Sequence, residues 1–481
     1  MFLWHVAPGG ADEEMKMWSG RFESAVNSDF ERWQRSFDFD QRLLKFEVSA
    51  SKAHARALAE IGVLSADELN QIIGGLDAIP QHAVDHPELL KDTEIEDVHH
   101  FVEKTLAALV GEVAFKLHSG RSRNEQIATD LRLFVRDGIE ESLVQLTHLL
   151  NVLLDQAQAA DETIMPAYTH LRRAEPVMAA HWLLAYFEMF SRDVQRLQNC
   201  RERLNYCPLG SGAIAGATLP LMRSPVAKEL NFDAPTANSM DATSDRDFAI
   251  EFVQAAALTA VHLSRLAEEL ILFSTDEFGF VSLPQAFCTG SSAMPQKSNP
   301  DALELIRGKS ARLIAANVGL LTIVKGLPLA YNKDFQETQE PILDSVETFT
   351  GLLRVTVGVV AGLKLNKEKM EGAAATGHMN AMAAATYLVG KGVPFRRAHE
   401  QIGKAVMYCI SKGRELQDCS LEELKQFGDA FGADFYDSIS KTAVLDCHDV
   451  HGGTARSRVR QALLQARKRI AVMPGGVHAY A

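Results

Sequence analysis

"VMAAHWLLAYFEMFSRDVQRLQNCRERLNYC", Val177–Cys207, runs without a single proline or glycine. Its apolar residues Leu183, Phe187, Phe190, Val194, Leu197 and Leu204 follow steps of three, four and seven, the stripe of one helix face. At ~1.5 Å rise per residue such a helix spans ~45 Å. Glu140–Ala160, Asp247–Phe278, Asp301–Lys325 and Pro341–Leu363 read the same way, with Leu143, Leu146, Leu150, Leu153 and Ala157 in the first and Phe252, Ala256, Val261, Leu266 and Leu270 in the second. Pro300 and Pro341 stand where a first-turn proline belongs, and Asn299 reads as an N-cap. Alternating β-branched patterns are scarce. Helices this long do not fit inside one small globule. They predict a mostly all-α protein built on a long-helix bundle that other subunits extend.

A chain of 481 residues exceeds what one core fills. Gly120 and Gly372–Gly377 mark the boundaries of three helical domains: 1–120, with the first fourteen residues as a disordered tail, 121–372 for the central five-helix bundle, and 373–481 for a small C-terminal domain. Met15 or Met17 reads as a natural start. The net charge of −13 and the lack of a basic tract argue against a nucleic-acid partner. The longest apolar run, Leu313–Val324, is too short for a membrane span, and no signal peptide is read, so a cytoplasmic protein is expected. The six cysteines form no CxxC and no Cys/His ligand spacing. They read as buried reduced thiols, with no metal site.

Polar segments interrupt the helices. "HSGRSRNEQ" (His118–Gln126) places Arg121, Ser122, Arg123 and Asn124 at a helix start. Capping alone explains a serine there, but two arginines with an asparagine suit an anion, because guanidinium forks pair with carboxylates. "AYTHLRRAEP" (Ala167–Pro176) sets Thr169 and His170 just before the long helix, beside Arg172 and Arg173; an imidazole near anion-binding groups suits general acid work. "TGSSAMPQKSNPD" (Thr289–Asp301) offers Ser291, Ser292 and Lys297 on a flexible loop leading into a helix, with Glu304 on its first turns. "LGSGAIAG" (Leu209–Gly216) follows a helix, not a strand, and so reads as a tight connection near a substrate, not a dinucleotide loop.

Together these segments resemble the fumarase/aspartase superfamily of β-eliminating lyases, whose signature loop "GSSAMPQKSNP" matches. Within it the chain is most similar to the argininosuccinate lyase family. "WSGRF" (Trp18–Phe22), "NSMDATSDRDF" (Asn238–Phe248), "LPLAYNKDFQE" (Leu327–Glu337), "KGVPFRRAHE" (Lys391–Glu400) and "GGTA" (Gly452–Ala455) carry the likeness to about residue 456. The resemblance implies a homotetramer with a twenty-helix core and active sites shared by three subunits. It implies reversible β-elimination of argininosuccinate to arginine and fumarate in arginine biosynthesis, without metal or organic cofactor. It assigns Ser291 as base, Lys297 to stabilise the aci-carboxylate, and His170 paired with Glu304 on the acid side. Ser36, Ser122, Arg123, Asn124, Thr169, Asn299, Tyr331 and Gln336 match substrate-binding positions.

Three residues depart from the pattern. Gln339 stands where many relatives have a substrate-contacting lysine, and Arg172 and Glu175 replace glutamines after the THL triplet. The competing readings are an adenylosuccinate-lyase-type enzyme, which would not be expected to carry "GRSRN" or "AYNKD", and a catalytically silent δ-crystallin-like structural protein.

Overall fold

A computed structural model describes residues 26–473. The WSGRF segment, the proposed starts at Met15 and Met17 and the N-terminal tail lie outside the described residues. The helices of thirteen residues or more are α1 (Leu44–Glu60), α2 (Ala66–Asp85), α3 (Val98–Val110), α4 (Arg123–Ala159), α5 (Ala179–Leu204), α6 (Asp247–Ser274), α7 (Asp301–Val324), α8 (Gln339–Ala361), α9 (Phe395–Lys412) and α10 (Arg456–Ala471). α4 to α8 form the central bundle: α4 packs on α5 and α8, and α6 packs on α7, α5 and α8. The α5 stripe is buried throughout: Leu183, Phe187, Phe190, Val194, Leu197 and Leu204 all face the bundle core. In α6, Phe252, Ala256, Leu266 and Leu270 are buried, whereas Val261 is exposed.

Apolar side chains gather into three cores. One fills the bundle. A second joins Phe37, Leu58, Ile72, Leu76 and Phe101 at the N-terminal end, and a third holds Leu388, Ile402, Phe431 and Phe435. Chain order and core membership part company at the end, because Val459, Ala466 and Ile470 of α10 return to the bundle core.

Several boundaries differ from the sequence reading. The segment read as starting at Glu140 belongs to α4, which begins at Arg123 and runs through Gly138. A Cβ on Gly138 would meet Val346 Cγ1 at 2.6 Å, so this glycine marks a close helix approach, not a break. The stretch before α5 is an antiparallel hairpin, β1 (Ile164–Thr169) and β2 (Arg172–Met178), and α5 starts at Ala179. Asn299 is not the α7 cap. It sits in β4 (Ser298–Asn299), paired with β3 (Thr289–Gly290), and Pro300 takes the cap position without a side-chain bond. Strand pairing with Thr289 draws Asn299 away from the helix end. Pro341 lies in the first turn of α8. No disulfide joins the six cysteines; four are buried, Cys288 is half-buried and Cys447 is exposed. Among the described residues no helix is long and apolar enough to cross a membrane.

Candidate active site

A cavity of about 270 Å³ opens where the N-terminal core meets the start of α4 and the segment before α8. It is lined by five of the sequence-predicted residues, Ser36, Arg123, Asn124, Tyr331 and Gln336. Each is held by a neighbouring element. Ser122 is the N-cap of α4 and forms a capping box with Glu125, which fixes the helix start carrying Arg123 and Asn124. The Ser122 hydroxyl is thus engaged with the Asn124 amide at 3.3 Å, the capping role weighed against substrate contact. Asn124 Nδ2 donates to the Ala213 carbonyl at 3.3 Å, so the LGSGAIAG turn packs beside the helix start. Arg223 holds that turn through the carbonyls of Cys207 and Leu209 and the Ser211 hydroxyl. Arg123 Nη1 donates to Asp97 Oδ2 at 2.8 Å and lies 3.6 Å from Glu96. Gln336 Nε2 donates to the Gln34 carbonyl at 2.7 Å. Tyr331 follows Ala330, whose φ of +64° strains a non-glycine residue. Burial raises the Tyr331 phenol above its ordinary range, which keeps it protonated.

Sequence reasoning missed Asp40, Asp97, His99 and Lys333 as cavity residues. The run "EIEDVHH" (Glu94–His100), dense in acids and histidines before an apolar helix, was the available clue. Gln339 also lines the cavity. It is buried, and its Oε1 accepts no hydrogen bond among the described residues.

Beneath the cavity Glu47, His99 and Asp130 bring ligand atoms within 4.8 Å of one another. The donor set does not suit a cation. Glu47 Oε1 already accepts from Ser51 at 2.7 Å and Gln126 at 3.0 Å, His99 Nδ1 lies 2.9 Å from Oε2, and the Arg121 guanidinium stands 3.8 Å away. Burial opposes charge on Glu47, but the His99 imidazolium, the Arg121 guanidinium and the Ser51 hydroxyl together outweigh it and hold the carboxyl below the usual range. Burial likewise opposes charge on His99, and Glu47 reverses it. Burial, then the Glu47 charge, push Asp130 well above a normal carboxyl. Arg121 therefore serves this buried network, donating to the Ser51 hydroxyl at 2.8 Å.

The other predicted residues stand apart from the cavity. Thr169 ends β1, and His170 with Leu171 forms the exposed hairpin tip, both with positive φ, as a two-residue turn between right-twisted strands requires. Tyr168 anchors the hairpin against Phe273 and Phe278. Ser291 leaves the short β3–β4 ladder, and its Oγ accepts from the amides of Ala293 at 3.3 Å and Met294 at 3.1 Å. Thr289 Oγ1 donates to Asp301 Oδ2 at 2.5 Å, tying the loop base to α7. Lys297 and Glu304 are exposed, and among the described residues no ion pair joins Glu304 to His170. Arg173 donates to the Thr376 hydroxyl and the Ala373 carbonyl, and Glu175 lies 3.7 Å from His448.

The bundle and its polar helix ends fall within the stretch, residues 20–315, that matches the family model described as "Lyase", which makes the chain a member of that enzyme class. A second model, "Argininosuccinate lyase C-terminal", matches residues 378–446. The argininosuccinate lyase of Koribacter versatilis is 55% identical over 95% of this chain and 98% of its own length. That of Acidobacterium capsulatum is 54% identical, covering 95% and 94%. Among solved structures, an EDDS lyase variant with bound fumarate matches with a TM-score of 0.81 at 26% identity, covering 93% of this chain and 91% of its own. The 3-carboxy-cis,cis-muconate lactonizing enzyme of Pseudomonas putida shares the fold with a TM-score of 0.73 at 21% identity, covering 93% and 100%. The chain belongs to the argininosuccinate lyase family.

Proposed function

We propose that this chain cleaves argininosuccinate reversibly into arginine and fumarate, as a step of arginine biosynthesis in the cytoplasm. The observation that carries the reading is near-full-length identity above half to a named argininosuccinate lyase, together with the match to that family's own C-terminal model. Ser291 takes the proton from the carbon beside the carboxylate. The Ala293 and Met294 amides that point at its Oγ support an ionised serine. Lys297 neutralises the charge that spreads onto the aci-carboxylate. The carbon–nitrogen bond then breaks, and His170 supplies the proton to the departing guanidinium nitrogen with Glu304 holding the imidazolium. Ser36, Arg123, Asn124, Tyr331 and Gln336 bind substrate in the cavity, and Thr169, Asn299 and Ser122 complete the contacts.

A homotetramer follows from the same reading. Ser291, His170 and the cavity residues stand on different elements, and three subunits would each supply one group. α7 supports this: only five of its 24 residues are buried, and Leu305, Ile314, Val318 and Leu321 lie 44–58% exposed along it. Domains divided at 1–120, 121–372 and 373–481 belong to the same proposal; the separate N-terminal and C-terminal apolar cores support it, whereas α10 packs into the bundle core. Purified protein given argininosuccinate should generate fumarate absorbance and should not act on adenylosuccinate. Turnover of adenylosuccinate instead would replace this reading, and turnover of neither would favour a silent structural protein.

A further inference from the structure

We propose that Asp40 is a positioning residue that sets which hydrogen-bond face Ser36 turns toward the cavity. The inference rests on the reading that Ser36 contacts substrate.

Ser36 and Asp40 are both almost fully buried, and both line the cavity. The Ser36 backbone is clamped, because its amide and that of Phe37 donate to the Glu96 carbonyl at 2.9 and 3.1 Å. Only the hydroxyl is free to turn. It donates to Asp40 Oδ2 at 2.6 Å. The second carboxylate oxygen, Oδ1, accepts from the Val98 amide at 3.0 Å. Asp40 therefore bridges the Ser36 segment to the start of α3.

These contacts make the hydroxyl a reporter of the carboxyl's charge. A hydroxyl has one proton and two lone pairs. While Asp40 is ionised, that proton is committed to Oδ2, and Ser36 offers lone pairs to the cavity. An ammonium or guanidinium N–H of the substrate can donate to them. When Asp40 takes up a proton, Oδ1 still faces a backbone N–H that cannot turn, so the proton resides on Oδ2. The Oδ2–H then donates to Ser36 Oγ, and the Ser36 proton swings into the cavity. A donor now faces the substrate's donors. No backbone atom moves.

The surroundings set the range over which this happens. Burial, then the Asp97 charge, raise Asp40 to about 7, against the lowering by the Ser36 bond, His99 and the Val98 amide. Glu96, Arg123 and Lys333 line the same cavity, and Asp130 lies near enough beneath it for its charge and that of Asp40 to interact. Because the folded value lies above the ordinary carboxyl range, the donor-facing state fills as pH falls through about 7. Substrate binding should weaken in that direction.

The test measures argininosuccinate Kd by calorimetry between pH 6 and 8.5, using the full-length Ser291→Ala protein so that turnover does not intrude. Kd should rise about tenfold from pH 8 to pH 6. Ser36→Ala should weaken binding about tenfold at pH 8 and flatten the profile. Asp40→Asn turns its amide NH₂ toward Ser36 once its oxygen accepts from Val98, so it should bind at every pH like the parent at pH 6. Adding Asp40→Asn to Ser36→Ala should cost nothing further. A pH slope that survives Ser36→Ala, or additive losses in the double variant, overturns the proposal. If Asp40→Asn does not fold, the Ser36→Ala profile alone decides. If Ser291→Ala still turns over substrate, the base assignment falls. The Ser36 coupling is then read from KM across the same pH range.

Discussion

Arg123 reaches the cavity from a helix start fixed by a capping box and by Asp97, while Ser291 stands on a two-pair ladder whose following residues, Ser292 to Ser298, are all exposed. Behind the cavity lies a buried network of Glu47, His99, Arg121 and Asp130. Behind the loop, among the described residues, lie local bonds, one tie to Asp301 and the packing of Phe287 against α8. On the proposed function, the difference follows from what each region would do. Groups that recognise charge are effective when their geometry is set before substrate arrives, which calls for burial and crossed hydrogen bonds. A loop that admits substrate and then covers it has to come from the least stable part of the fold.

The largest expected effect falls on the loop. Ser291→Ala should lower kcat by roughly a thousandfold or more, with substrate still bound, because the cavity does not depend on the serine. Near-normal kcat would move the base to another group. On the cavity side the largest effect is on stability. Glu47→Gln leaves His99 and Arg121 without their shared counter-charge and should cost about 3–5 kcal/mol, read by denaturant unfolding. A loss under 1 kcal/mol would mean that the network does not brace the cavity.

The tightest anchor of the loop lies just before it. Phe287, four residues before Ser291, packs against Gly358 of α8 so closely that a Cβ there would overlap its ring. Gly358→Ala should cost about 1–3 kcal/mol and lower kcat more than it raises KM, with partial rescue by Phe287→Leu. A fall in stability with kcat untouched would show that the anchor does not place the loop. The smallest effect is expected at Glu304→Gln, about tenfold in kcat, since a carboxylate that only supports an imidazolium contributes less than the base itself. An unchanged rate would return Glu304 to an ordinary exposed helix position.

The long helices were legible because their stripes are long and regular; Leu183, Phe187, Phe190, Val194 and Leu197 all point inward. The β1–β2 hairpin was not. Its strands contain Pro166 and Pro176, and its turn uses His170 and Leu171 at positive φ, where local preference calls for glycine or asparagine. It is held from outside, by the aromatic group around Phe273, and single-segment patterns do not carry such support. The site divided in the same way. Arg123, Asn124, Tyr331 and Gln336 sit in motifs recognisable along the chain. Asp40 and His99 do not stand out until folding brings Ser36, Val98 and Glu47 against them.

In the proposed homotetramer, a set cavity from one subunit meets the serine loop and the histidine turn of others. Mixing subunits tests it most directly. Arg123→Ala and Ser291→Ala proteins, each inactive alone, are dissociated, mixed in equal amounts and reassembled, and fumarate release is followed. If the two groups at a site come from different subunits, random assembly leaves about a quarter of the sites fully native, so about a quarter of the wild-type rate should return. Reassembled tetramers that stay as inactive as the parents, or a wild-type monomer that is fully active, would contradict the account.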